Sequence, residues 1–450
     1  MAMKNADCIS EDRVSLKKTK GYGRVLSLLD EGSFHEIDGW LKSGDGYAEA
    51  VAGGGTVDGC PVYVFSQNPD AGGGAMSKAQ ALKIGKLYDL ALKTGAPLVG
   101  IYDSNGGRLN EGGDMLAAYG EILLRANNLS GVVPQISLVL GPCTGTSAMI
   151  AAGADFVVMS DKGELTVATN GEGGSPREAA ELGVCHLAAK SEAEAVEAVK
   201  KLVSMLPSNN LSVPRVFEAG KAAGSAASGN VSAREALLSV CDVGDFLELG
   251  ESFGPSASTG LGRVGGTVTG LIALSGVIDA DSCSKAARFL RFCDSFSIPA
   301  VTFVDAEHFS SLREASKLSS AYSEATAPKI AVVTGRACGP VYIAVIGRGA
   351  GSDLALAWPG ATVSAIAPET AAIFLWNDRL AGSANPVEDR KKLIDEYRAT
   401  EACAEKAAAE GAVEAVVEPE RTRAALLAGL DMLGGKRVST LPKKHANIQL

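Results

Sequence analysis

Two kinds of apolar spacing alternate along this chain. Short continuous apolar runs such as Leu98–Tyr102 and 136–140 are bounded by Pro or Gly, the pattern of strands buried on both faces. Between them apolar residues recur every three or four positions, which predicts amphipathic helices packed on those strands. One helix is expected to open at Ser77-Lys78-Ala79 and another at Ser284-Lys285-Ala286. The uncharged stretch 132–154 is long enough to span a membrane, but Pro134, Gly141, Pro142, Gly145 and Gly153 interrupt it. It is read as strand, turn and helix. The tail 388–434, rich in Ala, Glu, Lys and Arg, reads as helices. Strand and helix alternate throughout, so a layered α/β architecture is predicted.

The pattern also repeats. Gly55-Thr56-Val57-Asp58-Gly59 returns as Gly266-Thr267-Val268-Thr269-Gly270, and the two Ser-Lys-Ala helix openings follow in the same order. Each helix ends before a Pro-led apolar run, Ala96-Pro97-Leu98-Val99 or Ile298-Pro299-Ala300-Val301, that stops at Asp103 or Asp305. Pro134-Gln135-Ile136-Ser137-Leu138-Val139 is matched by Pro328-Lys329-Ile330-Ala331-Val332-Val333, each running into a Gly-containing turn and another apolar helix. Markers in one shared order point to two homologous domains of about 200 residues each. Their spacing shrinks along the chain, with the largest single step between Asp305 and Pro328, so the second copy is the shorter. The Gly/Ala/Ser-rich segment 220–230 is the expected linker, giving domains 1–220 and 231–450.

Composition narrows the function. The 450 residues are 46% hydrophobic and 21% charged, enough to bury large cores and to exclude wholesale disorder. A net charge of −10 argues against a nucleic-acid backbone or an anionic membrane as main partner. The first twenty residues mix acids and bases without an apolar core, unlike a secretory signal. The cysteines at 8, 60, 143, 185, 241, 283, 293, 338 and 403 form no CxxC pair; reduced thiols and a cytoplasmic location are expected.

Common catalytic signatures are missing. His35, His186, His308 and His445 show no metal-ligand spacing, and neither a GxSxG elbow nor a Walker A sequence occurs, so no metal is expected. Gly260-Leu261-Gly262-Arg263-Val264-Gly265 spells GxGxxG, but no strand leads into it and no helix follows, so it is read as a turn. More informative are the glycine-rich turns at strand ends, Asp103-Ser104-Asn105-Gly106-Gly107-Arg108 and Gly141-Pro142-Cys143-Thr144-Gly145-Thr146. Two backbone N–H groups converging from such turns form an oxyanion hole, which stabilises a thioester enolate without a His or a metal. The same glycines also suit tight crossovers with no chemical role, and spacing leaves both readings open.

Several segments carry a family resemblance. Gly95-Ala96-Pro97, Asp103-Ser104 with Gly107-Arg108, Glu111-Gly112, Ala118-Tyr119-Gly120-Glu121-Ile122, Ser130-Gly131-Val132-Val133-Pro134-Gln135-Ile136 and Gly141-Pro142-Cys143 resemble the carboxyltransferase subunit of biotin-dependent acyl-CoA carboxylases and sodium-translocating acyl-CoA decarboxylases. Lys285-Ala286-Ala287-Arg288-Phe289, Val301-Thr302-Phe303-Val304-Asp305, Ala321-Tyr322-Ser323-Glu324-Ala325-Thr326 and Ala357-Trp358-Pro359 extend it through the second half. The resemblance implies two tandem crotonase-like ββα spiral domains. The first would bind acyl-CoA; the second would receive carboxybiotin from a separate biotin carboxyl carrier protein, usually across a subunit interface in a homo-oligomer. Further partners would be a biotin carboxylase or membrane decarboxylase subunits, which in the second case puts the chain against a membrane complex.

Carried over by residue, the CoA-side hole maps to Gly106, Gly107, Gly145 and Thr146, and the biotin-side hole to Gly339 and Val341. Gly73, Gly74, Lys78, Arg108, Tyr342 and Ile343 are the expected ligand-binding positions, with Ile343 facing the acyl pocket and Arg108 and Lys78 offering positive charge to CoA. Two departures fall on the biotin side. A longer family loop is cut to Ala306-Glu307-His308-Phe309-Ser310-Ser311-Leu312-Arg313, and the family's Tyr-Gly-Gly-Ala-Tyr becomes Cys338-Gly339-Pro340-Val341-Tyr342, where Pro340 has no N–H. His308 is either a substitute donor or a solvated loop residue, and the second reading is preferred. Glu111 and Asp114 suit a helix dipole better than an acid–base pair. Arg108 meets either a ligand anion or a carboxylate that orders its loop, and Cys143 and Cys338 are read as packing. The alternative to a carboxyltransferase is a crotonase-like acyl-CoA-binding scaffold subunit that has lost biotin chemistry.

Overall fold

The computed structural model describes residues 15–44, 46–168, 173–224, 231–381, 383–445 and 447; Cys8 and the 225–230 part of the expected linker lie outside them. The chain forms two compact units, Met1–Val213 and Pro214–Leu450. Residues 220–224 belong to the second unit rather than to a linker. The Gly220 N–H donates to Asp242 Oδ2 at 3.2 Å and the Ala223 N–H to the Cys241 carbonyl at 2.8 Å. Glycine is needed there because a Cβ at Gly220 would meet Asp242 Cβ at 2.8 Å.

In the first unit, α1 (Lys20–Leu28) leads to an antiparallel hairpin of β1 (Ala50–Val57) and β2 (Cys60–Gln67). There follow α2 (Lys78–Thr94), β3 (Leu98–Tyr102), α3 (Gly113–Leu129), β4 (Gln135–Val139), β5 (Pro142–Thr144), α4 (Thr146–Ala152), β6 (Phe156–Met159), β7 (Glu164–Thr166) and α5 (Glu192–Met205). Strands β2, β3, β4 and β6 run parallel in that order within a seven-stranded sheet. Every residue of β3 and β4 is buried, as the unbroken apolar runs require. The expected turn at 142–144 is instead the short strand β5, which leaves the main sheet and pairs in parallel with β7.

The second unit follows the same plan with α6 (Ala233–Val240), β8 (Ala257–Val264), β9 (Thr267–Ile278), α7 (Ala280–Ser295), β10 (Ala300–Phe309), α8 (Leu312–Glu324), β11 (Lys329–Cys338), α9 (Pro340–Val345), β12 (Leu354–Ala357) and β13 (Thr362–Ser364). Strands β8 and β9 form the antiparallel hairpin; β9, β10, β11 and β12 run parallel. The tail is helical at α10 (Pro386–Thr400), α11 (Ala404–Ala409) and α12 (Thr422–Leu433), but Ala415–Val416 adds a parallel strand to β12. No described helix is long and apolar enough to cross a membrane.

Hydrogen bonds repeat between the units more faithfully than side chains do. The hairpin turns Asp58-Gly59 and Gly265-Gly266 both have positive φ at their two central residues, the geometry that matches the twist of the flanking strands. In each an aspartate accepts the turn's N–H groups, Asp30 in the first unit and Asp242 in the second. The Pro134 carbonyl accepts from Leu98 and the Pro328 carbonyl from Ala300. Asp155 and Asp353 accept the N–H of Gln135 and Lys329, both at 2.8 Å.

These pairs correct the register of two sequence markers. Thr56-Val57 closes β1, whereas Thr267-Val268 opens β9, so the shared Gly-Thr-Val lies on different strands of the hairpin. Ser77 caps α2, its Oγ accepting from Gln80 at 3.1 Å, but the matching cap in the second unit is Asp279, which accepts from Ser282 at 2.8 Å. Ser284 lies a turn inside α7. The GxGxxG stretch is not a turn along its length: Gly260 to Val264 belong to β8 and Gly265 alone enters the hairpin turn. Finally, the strand expected to stop at Asp305 continues to Phe309, because β9 also continues past Gly276 and offers Val277 and Ile278 as partners for His308 and Phe309.

Asp242 is 1% exposed and also pairs with Arg423. Burial alone would raise its pKa, but the Arg423 guanidinium and the N–H groups of Gly266, Gly265 and Gly220 outweigh it and hold the carboxyl below its usual range. A depressed folded-state value means the stabilisation is complete above the unfolded value of about 3.9 and disappears as pH falls through the folded one. Asp242→Asn is expected to lose about 3 kcal/mol at pH 7 and to show a shallower decline below about pH 4 than the unaltered chain, measured by urea unfolding at both pH values.

Candidate functional site

The carboxyl ends of β3 and β4 lie side by side. The Leu140 N–H donates to the Tyr102 carbonyl at 3.0 Å and the Ser104 N–H to the Pro142 carbonyl at 2.7 Å, so the turns 103–108 and 141–146 advance together. A third segment backs the first turn: the Asn105 N–H donates to Gly73 O at 3.0 Å, the Met76 N–H to Gly106 O and the Arg108 N–H to Met76 O, both at 2.8 Å. Gly73 and Gly74 therefore buttress this turn. A Cβ on Gly74 would meet the Asp103 carbonyl oxygen at 2.3 Å, and one on Gly73 would meet Asn105 Nδ2 at 2.7 Å.

Of the four backbone donors expected here, two are spent internally. The Gly106 N–H donates to Ser104 Oγ at 3.2 Å and the Gly145 N–H to Thr166 O at 2.8 Å. The N–H groups of Gly107 and of Thr146, the first residue of α4, have no acceptor among the described residues. Space at Gly107 is closed: a Cβ would meet Met115 Sδ at 2.0 Å and Tyr119 Cε2 at 3.3 Å. Tyr119 in turn accepts a hydrogen bond from Ser147 Oγ at 3.2 Å, tying α3 to the first turn of α4 and hence one donor turn to the other. Burial raises the Tyr119 phenol above its ordinary pKa despite the Ser147 bond, so it stays neutral at physiological pH. Burial likewise pushes the Cys143 thiol far up, which suits packing and not a nucleophile.

Arg108 meets a carboxylate of its own chain. Its guanidinium pairs with Glu49, a carboxylate with no exposed surface that also accepts from Ser77 Oγ at 2.5 Å. Lys78 is 64% exposed and pairs with Asp114 at 3.3 Å, while its backbone N–H donates to Glu111 Oε2 at 2.7 Å. Glu111 thus caps α2, a helix other than the one it precedes, and Asp114 lies in the first turn of α3. Positive charge near these turns comes instead from a cavity of about 520 Å3 lined by Lys20, Arg24, Asp103, Gly141, Lys162 and Glu192 among others. Arg24 is committed there to Asp103 at 2.7 Å and to Glu192 at 3.0 Å; the ammonium groups of Lys20 and Lys162 have no partner among the described residues.

The second unit builds the same turn from different residues. Gly339 has φ +50, donates its N–H to Ser364 O at 3.0 Å and accepts from Ile343 N–H at 3.0 Å, as Gly145 with φ +61 does with Thr166 and Met149. Pro340 therefore occupies the position of Thr146, and the donor there is gone; the Val341 N–H, one residue on, has no acceptor among the described residues. Tyr342 donates its hydroxyl to Ala412 O at 2.6 Å, and Ile343 is 62% exposed. No described cluster of His, Cys, Asp and Glu is arranged to hold a metal ion. Sequence reasoning missed Glu49, Met115, Tyr119 and Ser147. An acid directly before the apolar run of β1 was the available signal for Glu49, and Tyr119 lies in a segment that carries the family resemblance; Met115 and Ser147 have none.

The carboxyl transferase domain family matches residues 22–448. The chain is 37% identical to the propionyl-CoA carboxylase beta chain of Saccharopolyspora erythraea, over 98% of this chain and 93% of that one. It is 34% identical to the methylmalonyl-CoA decarboxylase alpha subunit of Veillonella parvula, over 95% and 92%. Among solved structures, the transcarboxylase 12S hexamer with methylmalonyl-coenzyme A bound matches with a TM-score of 0.90 at 30% identity, covering 100% of this chain and 98% of that one.

Arg108→Met leaves the buried Glu49 carboxylate without its counter-charge and is expected to destabilise the chain by about 3–5 kcal/mol, measured as a loss in thermal and urea unfolding. Adding Glu49→Gln should recover most of that loss. A ligand-facing arginine without this partner would leave the melting temperature of the single variant unchanged.

Proposed function

The chain belongs to the carboxyl transferase family, and from that premise we propose how it divides the transfer of a carboxyl group between carboxybiotin and a short-chain acyl-CoA. The first unit holds the acyl-CoA. The observation that carries this reading is the pair of unspent donors at Gly107 and Thr146, on adjacent turns fixed to each other through Tyr119 and Ser147. A thioester oxygen accepting from both gains most as it becomes an enolate oxygen, so the pair favours the charged species over the ground state. The closed space at Gly107 keeps a side chain from screening its N–H. Lys20 and Lys162 offer the positive charge that the polyanionic end of the CoA ester requires, which Arg108 and Lys78, each already paired with a carboxylate, do not.

The second unit receives the biotin, brought on a separate carrier protein. Carboxybiotin, when bound, supplies the carboxyl group and then takes up the acyl α-proton. What this chain contributes there is the Val341 N–H and an apolar surface at Ile343. Because the thioester enolate serves transfer in either direction, the same donors suit a carboxylase or a decarboxylase. A homo-oligomer is expected on the precedent of the transcarboxylase 12S hexamer, together with a biotin carboxylase or membrane decarboxylase subunits as partners. The binding-scaffold alternative is disfavoured by family membership along nearly the whole chain.

Thr146→Pro tests the donor pair with little disturbance to the fold, since proline is welcome at a first helical position and the second unit carries one in the matching place. With free biotin and methylmalonyl-CoA or malonyl-CoA as substrates, kcat is expected to fall about 100-fold while the melting temperature stays near that of the unaltered chain. Activity retained in Thr146→Pro removes this donor from the mechanism.

A further inference from the structure

The strand pairing gives His308 a definite place in the repeat. In the first unit the Met76 N–H donates to Gly106 O and the Arg108 N–H to Met76 O, so Gly107 faces Met76. In the second unit the Ser310 N–H donates to Ile278 O at 2.9 Å, and Ile278 faces Phe309. Ile278 precedes the helix cap Asp279 as Met76 precedes the cap Ser77. His308 and Phe309 therefore stand where the first unit has Gly106 and Gly107. That is the edge of the donor turn, opposite the turn that carries Pro340.

Polar side chains around His308 are already occupied. Glu307 pairs with Arg336 at 2.6 Å, Ser310 Oγ donates to Ile278 O at 3.3 Å, and Arg313 pairs with Glu314 at 2.7 Å. The His308 imidazole is exposed and has no hydrogen bond or ion pair among the described residues. Beside these paired charges stand large exposed apolar side chains: Val277 next to it in the ladder, Leu312 at the start of α8 and Ile343 on α9, at 42%, 87% and 62% exposure. An uncharged bicycle with one strongly accepting oxygen fits these apolar side chains and one uncommitted imidazole better than an anion does, because the exposed charges beside them are already paired.

We propose that the His308 imidazole donates the hydrogen bond to the ureido oxygen of biotin that Pro340 cannot. This rests on the assignment of the second unit to biotin. Pro340 removes a backbone donor at the position matched to Thr146; Val341 is the next backbone donor on that turn, and His308, at the position of Gly106, adds a side-chain N–H from the neighbouring turn. No proton is transferred in this step; either ring nitrogen serves while it carries hydrogen.

Three variants and one titration test it. His308→Ala should lower kcat/KM for free biotin at least 10-fold while leaving KM for the acyl-CoA within about twofold. His308→Gln, which keeps an N–H donor, should hold most of the activity. Pro340→Gly added to His308→Ala should restore transfer by returning the backbone N–H. In the titration, free biotin should shift the His308 ring resonance, identified by its loss in His308→Ala, whether or not turnover occurs. Wild-type kinetics in His308→Ala, or a ring resonance untouched by millimolar biotin, overturns the proposal. A chain that shows the biotin-dependent shift but transfers no carboxyl group even with a competent carrier refutes the broader functional reading and leaves His308 as a biotin contact.

Discussion

A single left-handed glycine decides where each site begins. Gly145 and Gly339 both direct their N–H into the last carbonyl of a neighbouring parallel strand, Thr166 or Ser364. That bond fixes the next residue as the first of a helix: at Thr146 the N–H is left over because no carbonyl precedes it at helical spacing, whereas Pro340 has none to leave. The short strands β5 and β7, and their counterparts at the ends of β11 and β13, exist to hold this glycine. In the first unit two turns with one spare donor each are brought together by parallel strands, an arrangement that on the proposed function replaces a catalytic side chain without charge of its own.

Around that bond the first unit invests heavily in rigidity. The turn 103–108 is held by the 72–76 segment behind it, by Ser104 across it, and by Met115 and Tyr119 packed where a side chain at Gly107 would be. Glu49 joins this frame, buried and paired with Arg108, with Ser77 bonded to it at the start of α2. Such a buried pair does little for net stability compared with apolar packing, but losing one partner strands the other, so it enforces one arrangement of the three segments.

Much of this was legible in the sequence because it is written in apolar runs and in Pro, Gly and Asp. Strand β3, the cap at Ser77 and the paired roles of Pro134 and Pro328 follow from residues whose backbone preferences are strong. Register was not legible where a short motif recurs by composition alone: Gly-Thr-Val suits either strand of a hairpin, and only pairing tells which. Donor accounting was also out of reach, since whether Gly106 or Gly107 keeps a free N–H depends on a serine hydroxyl two residues away. Arg108 was ambiguous because its partner lies far off in the chain, at Glu49.

The shortening of the second unit is one structural change rather than two. In the first unit Gly106 has φ +107, so the chain leaves strand geometry and needs the Gly72-Gly73-Gly74 segment to support it. In the second unit β10 stays in the ladder as far as Phe309 and is supported directly by β9, which runs on through Val277 and Ile278. Once the strand supports itself, the buttress has nothing to hold; no counterpart of 72–74 lies between β9 and Asp279, and the connection from Phe309 to α8 is two residues long. A residue in regular extended backbone is also free to carry a side chain. The same change that removed the glycine turn therefore admitted a histidine and a phenylalanine at the positions where the first unit has only glycine.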